Sequence, residues 1–262
     1  MSASGYSSVQ PEAYSASCCR PTISVCMATY QGEKYISKQI ESIVLQLRSG
    51  DELIVSDDSS TDGTRDIVQR YIDDGYPIKL VDGPCLGFNR NFANALKMAN
   101  GDFIFFSDQD DEWLPGKVDA VIGAFKDPNV LVVVHDAEMV DGDGRIIDRS
   151  LHARRRAGSG IVRNLMRNSY TGCCMAIRKR FKDEVLPFPK RVAYFDWWIG
   201  LLADCRGTTV FLDSVYLEHR RHGDNASPDR HYSLHKMIAM RMELSLALFW
   251  RIIKLSTRRQ LS

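Results

Sequence analysis

The chain has 262 residues, a formal net charge of +1 and 44% hydrophobic residues, which is typical of a soluble globular protein with a sizeable core. The near-neutral charge gives no electrostatic reason to expect nucleic acid as a partner. The seven cysteines form no CxxC zinc pattern and the N-terminus lacks a secretion signal, so we expect a reduced, cytoplasmic protein. No apolar run approaches the roughly 20 residues that a membrane span needs.

Strand-like and helix-like segments alternate over the first half of the chain. The strand-like segments are TISVCMAT, ELIVSDD, PIKLVD and DFIFFSD, and a segment with helical periodicity or helix-start signals follows each of them. This alternation predicts an α/β fold with a mostly parallel central sheet flanked by helices. Ligands of such sheets bind at the carboxyl ends of the strands, where Asp57, Asp58, Asp108 and Asp110 are expected. The sequence therefore predicts a site at that edge.

The second half is less regular. VLVVVHDAEMVDGDGRII indicates a strand and a hairpin that turns at Asp141 to Gly144, and TGCCMAIRK indicates another strand. RSLHARRRAGSG is interpreted as a basic, glycine-rich loop, and FDWWIGLLADCRG as a helix that ends on glycine. We expect a flexible tail over residues 1–20, one domain over 21–228 and a basic amphipathic helical segment over 229–262.

The stretch FIFFSDQDDEWLP places four acidic residues within five positions at a strand end. On extended backbone, residues two apart point the same way, so Asp108 and Asp110 are candidates to bind one ion together. Two oxygen ligands with open coordination positions suit Mg²⁺ or Mn²⁺ that also binds substrate phosphates. A solvated acidic loop or a helix cap is the alternative.

Six blocks resemble, in order, the blocks of glycosyltransferase family 2, and most closely its bacterial rhamnosyltransferase-like branch. They are ISVCMATYQGEKYISKQIESI, LIVSDDSSTDGT, GFNRNFANAL, GDFIFFSDQDDEWLPGKV, FDWWIG and HRRHGDN. The resemblance implies a GT-A fold, a nucleotide-diphosphate sugar donor such as a dTDP- or UDP-sugar, Mn²⁺ or Mg²⁺, and inversion at the anomeric carbon. It also implies a saccharide or lipid-linked acceptor in surface polysaccharide synthesis.

The resemblance assigns residues to the donor site. The nucleotide-sugar-binding candidates are Thr29, Tyr30, Asp57, Asp58, Asn91, Asp108, Arg220 and Arg221. The Tyr30 ring is available to stack, and the Asp57–Asp58 pair matches carboxylates that read the nucleobase edge. One aspartate of that pair has the alternative role of capping the following helix. The metal candidates are Asp108, Asp110 and His222.

Asp196 matches the position of the family's catalytic base. An acceptor hydroxyl is a poor nucleophile, so a carboxylate within hydrogen-bond reach must take its proton during attack. Relatives of this branch usually carry histidine immediately before the base, whereas this chain has Phe195. It also has His219 where a tyrosine is usual. Capping of the following helix is the alternative role of Asp196.

Two other functions use a similar strand order or site. A sugar-phosphate nucleotidyltransferase would need a glycine-rich, basic loop after the first strand, and MATYQGEKY does not supply one. A non-catalytic nucleotide-sugar-binding subunit is disfavoured by Asp108, Asp110 and Asp196. The segment 229–262 mixes apolar and basic residues, so we expect either a helix in peripheral contact with the inner face of the cytoplasmic membrane or a helix that packs on the domain or on a second subunit.

Overall fold

The computed structural model describes residues 20–223 and 233–260. The flexible tail that we predict over 1–20 lies outside this part of the chain except for Arg20, whose guanidinium pairs with Asp51. Residues 224–232, where the predicted domain and the predicted C-terminal segment meet, also lie outside it. The described residues form one nine-stranded sheet flanked by helices.

One half of the sheet is parallel. Its strands are β1 (Ile23–Thr29), β2 (Glu52–Asp57), β3 (Ile78–Asp82) and β4 (Phe103–Ser107), in the spatial order β3-β2-β1-β4. The connecting helices are α1 (Ile36–Val44), α2 (Thr64–Asp73) and α3 (Phe88–Met98). The register aligns Thr29 with Asp57 and Asp57 with Asp82, so the carboxyl ends of these strands meet at one edge.

The other half is mixed. Its strands are β5 (Glu112–Trp113), β6 (Val130–Val140), β7 (Ile146–Asp148), β8 (Met175–Arg178) and β9 (Thr208–Arg220). β8 is antiparallel to both β4 and β6, β9 is parallel to β6, and β5 is antiparallel to β9. The predicted α/β fold is confirmed, and the predicted parallel pairing holds for the first half and for β6 with β9. The long strand β9 has no counterpart in the sequence-based prediction.

The helices of the second half are α4 (Lys117–Ala124), α5 (Leu151–Arg155), α6 (Ile161–Met166), α7 (Lys182–Val185), α8 (Phe195–Arg206) and α9 (Leu234–Gln260). The interpretation of RSLHARRRAGSG as a loop is wrong, because α5 occupies its first half. The hydroxyl of Ser150 accepts the Ala153 N–H at 3.0 Å and so caps this helix. The predicted helix that ends on glycine is confirmed, with Gly207 following α8.

Helices pack on both halves of the sheet. α3 packs on β1 and β2, and α8 packs on the β6 and β9 side. α9 adds a further layer, because Leu244, Leu248 and Leu255 are buried and α9 contacts α8. Among the described residues, no helix is sufficiently long and apolar to cross a membrane.

Candidate active site at the carboxyl ends of the strands

Thr29 and Asp57, at the ends of β1 and β2, are hydrogen-bonded to each other. The Thr29 hydroxyl donates to Asp57 Oδ2 at 2.9 Å. Asp57 also accepts the backbone N–H and hydroxyl of Ser60, and its Oδ1 lies 3.2 Å from the Arg65 guanidinium. Both side chains are almost fully buried. Asp57 therefore ties β2 to the loop before α2 and to the Arg65 side chain, whereas the N-cap of α2 is Gly63, without a side-chain capping hydrogen bond.

Asp58 lies one residue further along and keeps part of its surface exposed. Its carboxylate accepts the backbone N–H groups of Cys85 at 2.7 Å and Gly87 at 3.1 Å, which fixes the loop before α3. Asn91 is buried in α3 and donates to the Thr29 carbonyl at 3.1 Å, while its own Oδ1 has no hydrogen-bond partner. The predicted Thr29, Asp57, Asp58 and Asn91 thus lie together at one edge.

Tyr30 is 60% exposed, so much of the residue is open to solvent. Its backbone is held by Gln109, the middle residue of the DQD stretch. Gln109 Oε1 accepts the Tyr30 N–H at 2.9 Å, and Gln109 Nε2 donates to the Tyr30 carbonyl at 2.9 Å. Gln109 also packs on Gly32 so closely that a Cβ there would lie 2.4 Å from its amide oxygen. This role of Gln109 was not predicted from the sequence, because the contact joins residues 79 positions apart.

Asp110 and His222 come together from β4–β5 and from the end of β9. Asp110 Oδ2 lies 2.8 Å from His222 Nε2, and the side chains keep 12% and 14% of their surface exposed. The imidazole stacks on Tyr35, with ring centroids 4.9 Å apart. The structure therefore juxtaposes two of the three predicted metal ligands at a position that a ligand can reach.

A buried charge cluster lies beneath this pair. Asp111 is fully buried and its Oδ1 lies 3.0 Å from His219 Nδ1. Burial alone would raise the pKa of Asp111, but the His219 cation holds it below the usual range. Burial lowers the pKa of His219, and the Asp111 carboxylate more than offsets this and raises it to about 9. Lys117, also buried, donates to the Cys173 carbonyl at 3.0 Å and lies 3.9 Å from the Trp113 ring centre.

Asp111, Cys173 and His219 place one ligand atom each within 4.8 Å of one another. This set has the donor types of a metal site, but Asp111 and Cys173 are fully covered. A metal ion that shares its coordination with a substrate diphosphate needs open positions. The partly exposed Asp110–His222 pair meets that requirement better.

Asp108 follows β4 and lies within the same acidic loop. Burial and the carboxylates of Asp111 and Asp110 raise its pKa to about 8. Burial and Asp111 also raise the pKa of Asp110, which His222 partly offsets. Neighbouring carboxylates disfavour one another's ionised form, and a nearby cation stabilises that form. The donor set of carboxylate oxygens and one imidazole therefore fits Mn²⁺ or Mg²⁺.

Arg220 lies inside the site and braces the acidic loop. Its backbone N–H donates to Asp111 Oδ1 at 3.0 Å, and its Nε donates to the Asp110 carbonyl at 3.2 Å. The side chain is 8% exposed and its guanidinium lies over the Tyr35 ring. The backbone N–H of Arg221 donates to the Val140 carbonyl at 2.8 Å. The observed contacts of Arg220 hold the acidic loop together, whereas the family resemblance predicts that this residue binds the nucleotide-sugar donor.

Asp196 is the second residue of α8 and keeps part of its surface exposed. Burial raises its pKa to about 6, and the Trp197 N–H at 2.7 Å limits the shift. Its charge also contributes to the raised pKa of Asp108. Phe195 is 5% exposed and packs on Phe92 and Phe106. The residue that replaces the usual histidine therefore anchors α8 in the core.

Asn89 positions the start of α8 and was not singled out by our sequence analysis. Its Oδ1 accepts the Phe195 N–H at 2.8 Å, and its Nδ2 donates to the carbonyls of Val192 at 3.0 Å and Ala193 at 2.9 Å. The three bonds connect α3 to the segment before Asp196. The NRNF block was the available signal, but the sequence does not indicate which asparagine contacts another element.

Comparisons with known proteins agree with this architecture. The sequence model described as Glycosyl transferase family 2 matches residues 24–186. An Escherichia coli protein named UDP-Glc:alpha-D-GlcNAc-diphosphoundecaprenol beta-1,3-glucosyltransferase is 30% identical over 186 residues, 70% of each chain. The dTDP-rhamnosyl transferase RfbG of Shigella flexneri is 26% identical over 216 residues, 76% of this chain and 72% of its own.

The fold is also that of a solved structure. S. aureus TarS, residues 1–349 in complex with UDP-GlcNAc, superposes with a TM-score of 0.68 at 21% identity, over 86% of this chain and 66% of its own. Curated relatives differ in length, and the chain spans from 61% to 83% of four of them. The match of the family model to more than half of the chain, on the predicted GT-A fold, places the protein in its family: the chain belongs to glycosyltransferase family 2.

Proposed function

We propose that the chain is an inverting glycosyltransferase that moves a sugar from a nucleotide-diphosphate donor to a saccharide or lipid-linked acceptor. The observation that carries this proposal is the proximity of two groups. The partly exposed Asp110–His222 pair suits a diphosphate and its metal ion, and the ring of Phe195, which precedes Asp196, packs on Phe106 of β4 close to the acidic loop, with centroids 5.1 Å apart. One group suits the leaving nucleotide and the other suits the attacking hydroxyl.

The donor would lie along the edge formed by β1, β2 and β4. The exposed Tyr30 ring would stack on the nucleobase, and Asp58, which keeps exposed surface, would face its polar edge. Gln109 holds the Tyr30 backbone by two hydrogen bonds, so the position of the stacking residue relative to the acidic loop is fixed. Support for a dTDP- or UDP-sugar comes from the relatives, whose names specify such donors.

Asp110, His222 and Asp108 would hold Mn²⁺ or Mg²⁺. When bound, such an ion supplies positive charge that stabilises the diphosphate as it leaves. Asp196 would accept the proton of the acceptor hydroxyl during an in-line displacement at the anomeric carbon, which inverts that carbon. Its raised pKa suits this role, because a base near the operating pH accepts a proton more readily than an ordinary aspartate.

We assign the acceptor to the lipid-linked saccharides of surface polysaccharide synthesis, at the inner face of the cytoplasmic membrane. The support is the name of the Escherichia coli relative, whose acceptor carries diphosphoundecaprenol. The rhamnosyl specificity of the Shigella flexneri relative makes dTDP-rhamnose a donor to test beside UDP-sugars.

The proposal is tested by donor-dependent stabilisation followed by transfer. Each nucleotide sugar is added with Mn²⁺, and the melting temperature is measured, because a ligand that binds only the folded state stabilises it by about 2.7 kcal/mol at 100 times its dissociation constant. The stabilising donor is then incubated with saccharide and lipid-linked diphosphate acceptors, with and without a chelator.

We expect donor-dependent product that a chelator removes and that Mn²⁺ or Mg²⁺ restores. Asp110→Asn is expected to lose metal-assisted donor binding. Asp119→Asn is the matched control, since Asp119 is exposed on α4 in a surface ion pair with Arg48. Failure of every nucleotide sugar to stabilise the protein or to yield product contradicts the proposal.

A further inference from the structure

The outer side of α9 carries large apolar side chains that are exposed to solvent. Leu246, Phe249 and Trp250 are 57%, 57% and 65% exposed, and Met242 is 60% exposed. With 3.6 residues per turn, these positions fall on one side of the helix. The opposite side, with Leu244 and Leu248, is buried against the domain. The helix is therefore apolar on two sides, and only one of them is used by the fold.

α6 adds two exposed apolar side chains beside α9. Val162 and Met166 are 76% and 71% exposed. The Arg241 guanidinium donates to the Met166 carbonyl at 2.7 Å, so the end of α6 lies beside α9. We define the apolar face as Val162, Met166, Met242, Leu246, Phe249 and Trp250. An exposed apolar group of this kind on a folded domain marks a site of association.

The net charge of the two segments that carry the apolar face indicates the kind of partner. Residues 149–170, which include α5 and α6, contain six arginines and no acidic residue, and residues 234–260 contain six cations and one acid. The two segments carry +6 and +5, so the rest of a chain with net charge +1 carries −10. A surplus of cations beside apolar side chains favours an anionic lipid surface. A second copy of the chain that paired α9 with α9 would instead bring like charges together.

We propose that the apolar face and its flanking arginines dock the protein on an anionic lipid bilayer. The inference rests on the proposed function in one respect, because a bilayer-bound enzyme meets a lipid-linked acceptor without leaving the surface. A hydrogen bond connects the two sites: the indole Nε1 of Trp197, the residue after Asp196, donates to the Asn164 carbonyl in α6 at 2.8 Å. Docking through α6 and α9 would thus bring Asp196 towards the acceptor's side.

The full chain carries its own reporter of docking. Trp250 is 65% exposed, whereas Trp113, Trp197 and Trp198 are at most 5% exposed. Vesicles of equal parts phosphatidylcholine and phosphatidylglycerol are expected to shift the tryptophan emission to shorter wavelength and to co-sediment the protein. Pure phosphatidylcholine vesicles are expected to do so at least about tenfold more weakly, and added salt is expected to weaken binding.

Three variants and one control separate the contributions. Trp250→Phe is expected to co-sediment but to lose the emission shift. Phe249→Ser and the double variant Arg163→Glu with Arg167→Glu are expected to bind anionic vesicles about tenfold more weakly. Leu45→Ser is the matched control, because Leu45 is 75% exposed outside α6 and α9 and is expected to leave binding unchanged.

Wild-type protein that ignores anionic vesicles overturns the proposal. So does a dimer in solution that Phe249→Ser dissociates, since the face then binds a second copy. Transfer to a water-soluble acceptor is measured in parallel and needs no bilayer. If vesicle binding behaves as expected while no donor supports transfer, the proposed function fails and the docking surface stands.

Discussion

At the scale of single residues, the candidate site contains carboxyl groups with opposite roles. Asp57 is engaged on both oxygens by Thr29, Ser60 and Arg65 and serves as structure. Asp196 accepts the Trp197 N–H, stays partly exposed and has a pKa raised by burial to about 6. The sequence presents both as aspartates at element ends, and only their hydrogen bonds distinguish a structural carboxylate from a candidate base.

Asp196→Asn is expected to lower the transfer rate by roughly 10²–10⁴-fold with little change in donor affinity, because asparagine cannot accept a proton at neutral pH. The measurement is single-turnover transfer together with donor titration. Asp119→Asn, on the surface, is the control for a lost carboxylate. A transfer rate within a few-fold of wild type would show that Asp196 only caps α8, since asparagine caps nearly as well as aspartate.

The same carboxyl predicts the acid limb of the pH profile. Burial raises the pKa of Asp196 from 3.8 to about 6, and only the deprotonated form accepts a proton. We therefore expect kcat/KM to fall about tenfold per pH unit below about pH 6 and to level off above it. The profile is measured at saturating metal ion. A limb that persists unchanged in Asp196→Asn would assign the titration to another group.

At the scale of elements, the site depends on how α8 is held. Asn89 on α3 bonds to Val192, Ala193 and the Phe195 N–H, and the Phe195 ring packs on Phe92 with centroids 4.3 Å apart. A cap from another element replaces the local cap, since the N-cap residue Tyr194 supplies no side-chain capping hydrogen bond to α8. The helix α8 was predictable from its sequence, whereas the hydrogen bonds from Asn89 that hold its start were not.

Asn89→Ala is expected to lower the free energy of unfolding by about 1–3 kcal/mol, because it leaves partly buried backbone groups without partners. We also expect a larger loss of transfer than of donor binding, since Asp196 follows the released segment. Asn94→Ala is the matched control, as Asn94 on the same helix bonds to Ser56 and to the Asp82 carbonyl instead. Equal losses of transfer in the two variants, measured beside urea unfolding, would contradict the positioning role.

At the scale of the whole molecule, α9 has one face on the domain and one in solvent. Leu248 is 5% exposed and Leu246 is 57% exposed, although they are two residues apart. The Arg251 guanidinium lies over the Trp198 ring and donates to the Leu186 carbonyl at 3.2 Å. The helix therefore contributes to the stability of the domain as well as presenting the apolar face.

Leu248→Ala is expected to lower the free energy of unfolding by about 2–4 kcal/mol, since it removes buried methyl groups and leaves a cavity. Leu246→Ala is expected to change it by less than about 0.5 kcal/mol and to weaken vesicle binding instead. Urea unfolding of both variants is the measurement. Similar destabilisation by the two would mean that α9 does not pack on the domain by the face described.

The sequence by itself determined the alternating elements of the first half, the α/β class and the family, because these follow from local periodicity and from ordered blocks. It also indicated the edge of the sheet that carries the acidic residues. It did not determine α5, whose cap is a single serine, or β9, which is a strand because it pairs with β6 and β5.

Only the tertiary structure decided which of these polar groups meet. Asp110 and His222 are 112 residues apart, and Asp111 and His219 are 108 residues apart. Their pairing depends on β9 lying beside β5, the short strand that follows the acidic loop, and no local pattern encodes this. The position of β9 also determines which carboxylates are buried beside a cation and which are partly exposed. Burial and neighbouring charge, rather than residue type, then set the pKa of each carboxylate.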